Sequence, residues 1–586
     1  MMTEFTPDEI ARVASRIYNE GPASGGLDGS GHAPQLPADP AVDSFAREQV
    51  QAPAFPAPPE TVPTTPTPSF AGAAPPTSLA EAPGLETFRV PAEAATSTAT
   101  VPTPYPSNEA QPDGLRAFVQ SIRRSDFRTA TEAFPDGPAP KSTSWPYGFA
   151  VPPQSVATPH PSGGASDPAA YARDDAPNAY GARPLDVDAI RRDFPVLHQK
   201  VHGRPLIWLD NAATTQKPQS VIDTLSRFYS TDNSNIHRGA HTLAARATEG
   251  FEQARDKVRD FLGASSSKEI VFVRGTTEAI NLVAQTWGRK FLQPGDEIVL
   301  STLEHHANIV PWQLILKETG ARLRVIPVND RGEIILEEYQ AILGPRTKLV
   351  ALAHASNSIG TLLPIAEMTQ MAKRYGARVL IDGAQTVAHV PVNVQQLGTD
   401  FYVFSGHKIF GPTGIGVLQA REELLDIMPP WQGGGSMIKT VTFEESTFAD
   451  PPAKFEAGTP NIADAIGLGA ALDYVRQFGL PNIAQYEHEL LHYATEQLLR
   501  INGLRLIGTA REKVGVLSFV LRDRPTIEVG RLLDLEGIAV RAGHHCSQPS
   551  LRRFGVDATV RPSLAFYNKK EEIDRLADAI RRIQRR

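Results

Sequence analysis

Lys408 stands where lysines are rare. The run Asp400-Phe401-Tyr402-Val403-Phe404 is apolar and aromatic. It enters Ser405-Gly406-His407-Lys408 and leaves through Ile409-Phe410-Gly411 and further glycines that permit sharp turns. Desolvation in such surroundings lowers a lysine's pKa and makes its amine a usable nucleophile, the property of a Schiff-base lysine. Leu380-Ile381-Asp382-Gly383-Ala384-Gln385 places a carboxylate just past an apolar strand, where an unpaired charge is costly and a cationic partner is required. Val271-Phe272-Val273-Arg274-Gly275-Thr276-Thr277-Glu278 reads as strand, glycine turn, hydroxyl pair and helix start. Free N–H groups and the helix dipole suit that position to a phosphate, and plain N-capping by threonine is the alternative. A Schiff-base lysine, a carboxylate for a pyridinium nitrogen and a phosphate cup form the protein side of pyridoxal-phosphate chemistry.

Cys546 is the only cysteine, so the chain has no intramolecular disulfide and no cysteine-built zinc site, as suits a reducing compartment. A free thiol is mostly protonated at pH 7 and needs activation. Arg541, His544 and His545 stand within five residues of it and are expected to raise its thiolate fraction.

The elements that must position these groups begin near Leu185. A short helix marked by Ile190 and Phe194 follows Asp188, then a strand over 206–209 that ends in Asp210-Asn211-Ala212-Ala213. Apolar runs at 269–273, 297–301, 323–327, 348–352, 378–382 and 401–404 alternate with helical stretches. Continuous apolar runs between helices predict an α/β fold with a mostly parallel sheet covered on both faces, and ligands in such sheets sit at the strands' carboxyl ends. Every motif above falls at such an end.

The motifs then resemble a known family. Gly275-Thr276-Thr277-Glu278, Glu304-His305-His306-Ala307-Asn308, His354-Ala355-Ser356-Asn357, Asp382-Gly383-Ala384-Gln385, Ser405-Gly406-His407-Lys408 and Arg541-Ala542-Gly543-His544-His545-Cys546 occur in the order seen in group II (SufS-like) cysteine desulfurases. The likeness covers about residues 186–586 and adds Asn235-Ile236-His237-Arg238-Gly239, Phe455-Glu456-Ala457-Gly458-Thr459-Pro460-Asn461 and Arg561-Pro562-Ser563-Leu564. It implies a fold-type I PLP transferase fold with a large domain over 185–455, whose 185–205 arm contributes to the small domain, and a smaller C-terminal α/β domain over 456–586. It also implies pyridoxal 5′-phosphate bound to Lys408, Asp382 at the pyridinium, Gln385 at the ring oxygen and His305 stacked on the ring. By the same likeness Thr276, Thr277, Ser405 and His407 form the phosphate cup, with Thr459 reaching it from the second subunit of a homodimer. Asn357 and Arg561, with Arg541 nearby, match the groups that hold the carboxylate of L-cysteine, and Cys546 matches the residue that becomes a persulfide. Pro562 and Ser547 stand where the family commonly has alanine, and the Ser547 hydroxyl is expected to tune the thiol. Selenocysteine lyase is the rival within enzymes, and an interaction protein with vestigial catalysis is the rival outside them.

Residues 1–184 differ in kind, holding 31 of the 50 prolines. From Gly21 to about Pro112 Pro, Ala, Thr, Ser and Glu dominate with scattered aromatics, a composition that predicts disorder for the extension. Apolar islands interrupt it: Ile10, Val13, Ile17 and Tyr18 after a capping box at Thr6 and Glu9, then Leu115, Phe118, Val119 and Ile122, then Trp145, Tyr147 and Phe149. These read as docking motifs. The extension resembles the cargo tails of enzymes housed in encapsulin-type shells, which makes a shell protein a candidate partner beside a SufE-like sulfur acceptor. A net charge of −7, from 58 basic and 65 acidic side chains, gives no footprint for nucleic acid. No apolar run reaches membrane-spanning length and the N-terminus lacks a signal pattern, so the expectation is a cytoplasmic protein without membrane contact.

Overall fold

The computed structural model describes residues 184–585 except Arg238 and Ala240. The islands of the N-terminal extension, its expected disorder and Arg238 of the 235–239 motif lie outside the described residues.

Seven strands form the main sheet: β1 (Ile270–Val273), β2 (Glu297–Ser301), β3 (Arg322–Ile326), β4 (Thr347–Ala353), β5 (Arg378–Asp382), β6 (Phe401–Ser405) and β7 (Gly416–Ala420). Their spatial order is β1-β7-β6-β5-β4-β2-β3, parallel throughout except for β7, which is antiparallel to both β1 and β6. Side chains alternate along a strand, so each continuous apolar run feeds two cores. Val350 and Leu352, Val379 and Ile381, and Tyr402 and Phe404 enter one buried cluster. Leu349 and Ala351, Leu380, and Phe401 and Val403 enter the other. With both faces covered, nothing selects for polar alternation.

The sequence pattern predicts six of these strands and misses β7, whose glycine-led start reads as the exit of the lysine turn. Gly416 is required by close approach, since a Cβ there would lie 2.4 Å from the Cα of Gly275. The same need for a bare backbone hides the strand from a hydrophobicity pattern.

A second sheet carries β8 (Leu504–Ile507), β9 (Ser518–Leu521), β10 (Arg541–Gly543) and β11 (Thr559–Arg561), ordered β8-β9-β11-β10 and antiparallel. Its apolar side packs with residues of two helices, α1 (Leu480–Leu499) and α2 (Lys570–Arg585), in a separate core. The strand expected over 206–209 is only Ile207–Trp208 and pairs in parallel with Ile538–Ala539. That pairing leaves the following turn, from Asp210 onward, beside the Lys408 turn of the main sheet.

The first described helix spans Val187–Arg192 and is capped by Asp186, whose side chain accepts from Ala189 N–H at 2.9 Å. Phe194, expected within it, lies beyond its end and is fully buried. Its ring meets Phe410 edge-on at 6.0 Å, and Phe410 meets Phe566 at 4.9 Å. The backbone just after Lys408 is thereby anchored in an aromatic cluster. No helix among the described residues is long and apolar enough to cross a membrane.

Candidate active site

A cavity of about 310 Å³ opens at the carboxyl ends of the main sheet. Thr276 and Thr277 reach it from the end of β1, His305 from beyond β2, Asn357 from beyond β4, Asp382 and Gln385 from β5, and Ser405, His407 and Lys408 from β6. Arg541, Cys546 and Arg561 enter from the second sheet. Of the expected site residues only Thr459 is absent from this lining; it sits in an exposed bend before Ile462–Phe478. Six alanines complete the wall unanticipated, among them Ala212, Ala353 and Ala384, and His545, expected beside the thiol, joins them. Small residues announce themselves only by the space they leave.

Lys408 ends a single tight turn, Gly406–Lys408, and finds no hydrogen-bond or ion-pair partner among the described residues. Burial pulls its pKa down to about 8 against the opposing pull of Asp382. The amine is therefore substantially neutral slightly above physiological pH, as a nucleophile requires. Beside it, burial with help from Lys408 and Lys217 holds His407 near pKa 4, so its imidazole is uncharged at pH 7.

The helix Thr276–Val283 starts at the cavity with Gly275 as its cap. Ser405 Oγ takes the Thr276 N–H at 2.9 Å and meets Thr276 Oγ1 at 2.9 Å. The next two amides, of Thr277 and Glu278, find no acceptor among the described residues. This is the exposed N-terminal pair that an anion takes up.

Asp382 is buried, and burial raises its pKa. Its Oδ1 accepts from Ala384 N–H at 3.0 Å, and no described residue donates to Oδ2. Gln385 Nε2 donates to the Ala212 carbonyl at 2.7 Å. His305 Nδ1 accepts from Ala307 N–H at 3.1 Å, and burial drives its pKa down to about 3. It is a neutral ring with its proton on Nε2. Below it Glu304 joins two strand ends, accepting from Ser301 Oγ at 2.5 Å, Asn308 Nδ2 at 2.7 Å and Ala353 N–H at 2.8 Å.

The thiol is presented on a strained elbow. His545 and Cys546 take φ of +55° and +54°, a left-handed pair without glycine. Such residues cost about 1–2 kcal/mol each, so other bonds must hold them. The Cys546 carbonyl accepts from His306 N–H at 2.8 Å, and its N–H donates to His544 Nδ1 at 3.0 Å. Asn357 Nδ2 donates to the His545 carbonyl at 2.7 Å. Cys546 itself is free and half-buried.

His545 does not serve the thiol as a cation. Ser518 Oγ donates to the Ser358 carbonyl, Thr559 Oγ1 donates to Ser518 Oγ at 3.1 Å, and His545 Nε2 therefore donates to Thr559 Oγ1 at 2.8 Å. Burial keeps this ring neutral, with its pKa down to about 2. Of the three neighbours expected to activate Cys546, Arg541 and His544 remain. Arg541 faces Arg561 across β10 and β11. Arg561 donates to the Asn357 carbonyl at 2.8 Å and to Asp210 Oδ1 at 3.2 Å, and its Nε is buried without a partner among the described residues.

The class-V aminotransferase family model matches residues 207–576. A probable cysteine desulfurase of Mycolicibacterium paratuberculosis is 64% identical over 399 residues, 68% of this chain and 58% of the relative. The chain thus spans less than two thirds of that relative's length. A cysteine desulfurase of Escherichia coli O8 is 52% identical over 402 residues, 68% of this chain and 99% of the relative. Among solved structures, the cysteine desulfurase CsdA of Escherichia coli superposes with a TM-score of 0.64 at 40% identity, covering 69% of this chain and 99% of that one. The main sheet and its site edge are those of the fold-type I pyridoxal-phosphate enzymes. The chain belongs to the class-V aminotransferase family, alongside cysteine desulfurases.

Proposed function

We propose that the protein is a cysteine desulfurase that converts L-cysteine to L-alanine and leaves the sulfur as a persulfide on Cys546. The observation that carries this reading is the placement of Lys408, Asp382 and the free thiol of Cys546 around one cavity.

The family is pyridoxal-phosphate-dependent, and the residues present fit that group. The open amides of Thr277 and Glu278, with Thr276, Ser405 and His407, would hold the phosphate. Asp382 Oδ2 is bare and would take the ring N–H. His305, uncharged, would stack on the ring, and Gln385 would meet the ring oxygen. When bound, the cofactor supplies a carbonyl carbon for amine exchange and an electron-withdrawing ring.

The chain's own groups divide the work. Lys408, with its lowered pKa, removes the substrate's Cα proton and returns it. Arg561 and Arg541 form a cationic end for the substrate carboxylate. The Cys546 thiolate bonds to the substrate sulfur as that sulfur's bond to Cβ breaks. The electron pair stays with the carbon skeleton, which takes up a proton and leaves as alanine. Asn357, whose side chain holds the elbow, serves by aiming Cys546.

Supplying purified enzyme with L-cysteine and measuring alanine and protein-bound persulfide tests this. Equal amounts of both are expected in the first turnover, and neither product from cofactor-loaded protein ends the reading.

The group II, SufS-like subtype rests on the ordered motifs. A homodimer in which Thr459 completes the partner's phosphate site agrees with its absence from the cavity of its own chain. A SufE-like protein is the proposed sulfur acceptor. The encapsulin-type shell reading rests on the composition of residues 1–184 and places the enzyme inside a cytoplasmic compartment. Deleting that segment should leave turnover intact and abolish co-purification with a shell protein; packaging without it contradicts the shell reading.

A further inference from the structure

One carbonyl oxygen in the site gathers more donors than a turn needs. The His407 carbonyl, in the peptide bond that leads into Lys408, accepts from Thr215 N–H at 3.1 Å and Thr214 Oγ1 at 3.0 Å. It also accepts from Thr215 Oγ1 at 3.2 Å and Lys217 Nζ at 3.0 Å. A carbonyl oxygen has two lone pairs, so four converging donors exceed what satisfying one acceptor demands. Thr215 Oγ1 in turn accepts from Phe410 N–H at 2.8 Å. One hydroxyl thus grips the residue before Lys408 and the residue two after it.

Lys217 is a strange choice for scaffolding. It is half-buried, has no carboxylate partner among the described residues, and places its ammonium on the carbonyls of Thr215 and His407. A desolvated cation without a counter-ion is costly, and an apolar side chain would fill the same space without that cost. What the cation adds is a strong, directional hold on the His407 oxygen.

We propose that Lys217 is a positioning residue for Lys408: with Thr214 and Thr215 it clamps the plane of the His407–Lys408 peptide and so fixes the direction in which the Lys408 amine enters the cavity. This rests on Lys408 being the Schiff-base lysine. Reaction at that amine is sensitive to placement, because a misplacement of about 1 Å can cost up to about a hundredfold in rate.

The test uses holoenzyme whose cofactor has been displaced with hydroxylamine and then resupplied as pyridoxal phosphate. The rate of return of the Schiff-base absorption band is followed against cofactor concentration. For Lys217→Met the saturating rate constant should fall about tenfold while the half-saturating concentration moves less than about twofold. Lys217→Arg, which keeps a cationic donor, should recover most of the rate. A Lys217→Met protein with lowered Tm but a wild-type rate constant has lost a structural group only, and overturns the proposal. Should that variant not fold, Thr214→Val decides, since it removes one neutral donor at nearly constant volume: a slowed return supports the clamp and an unchanged one overturns it. If the wild type itself shows no band, the reading of Lys408 falls and this inference with it. A band present in wild type and lost in Lys408→Ala keeps that reading whatever Lys217 does.

Discussion

Ser547 Oγ donates to Asn357 Oδ1 at 2.6 Å, tying the residue after the thiol to the turn beyond β4. With the Asn357 bond to the His545 carbonyl, both flanks of Cys546 hang from one side chain. The resemblance assigned Asn357 to the substrate carboxylate, and the Ser547 hydroxyl was expected to tune the thiol. In this geometry the hydroxyl is turned to the asparagine, and the pair holds a left-handed elbow in place.

Ser547→Ala would leave Asn357 Oδ1 without its donor, in buried surroundings where that costs about 1–3 kcal/mol. The expected outcome is a lower denaturation midpoint and slower persulfide formation on Cys546, with the Schiff-base band unchanged. Single-turnover persulfide assays beside absorption spectra check this.

Burial lowers the pKa of Lys408 to about 8, so its neutral fraction grows as pH rises through that value. Schiff-base formation should speed up from pH 6 to a plateau with a midpoint near 8. A midpoint near the ordinary lysine value of about 10.5 would contradict the burial argument.

Lys513 offers a stability test away from the site. Burial lowers its pKa to about 7, and its Nζ donates to the Gly508 carbonyl at 2.5 Å. Below pH 7 both states carry the proton, and the full penalty for burying the charge is present. Between about 7 and the unfolded value of about 10.5 the unfolded chain binds more protons, so stability rises with pH as the penalty is lost. Wild type should therefore gain on Lys513→Met between pH 7 and pH 9 in denaturant titrations. A constant gap would refute the linkage.

Gly383, just past Asp382, has no room for a side chain: a Cβ there would sit 2.2 Å from the Tyr402 ring. Tyr402 is itself fixed, its hydroxyl 3.1 Å from His354 Nδ1 and 3.0 Å from Thr386 Oγ1. Gly383→Ala should destabilise by about 1–3 kcal/mol and weaken cofactor retention, because the strain falls on the turn that aims Asp382. Thermal unfolding and cofactor content after gel filtration measure both effects.

Residues at the ends of apolar runs were legible in the sequence because the strand, its glycine turn and the polar residue that follows are all local. The apolar blocks likewise marked six of the seven main strands. The clamp of Thr214, Thr215 and Lys217 was not legible, because it exists only through contact with the His407 carbonyl, far away along the chain. The tautomer of His545 was hidden for the same reason, being set by two hydroxyls and a backbone carbonyl from three separate segments. A histidine beside a cysteine suggests a cation; only the buried partner shows that this one is neutral.

The central claim is that one cavity divides its chemistry, with Lys408 for the cofactor and Cys546 for the sulfur. Mass spectrometry of the Cys546→Ala protein after incubation with L-cysteine tests it most directly. The account predicts that this variant keeps the Schiff-base band and carries no added sulfur, while wild type gains one sulfur atom on Cys546. A persulfide retained by the variant would contradict it.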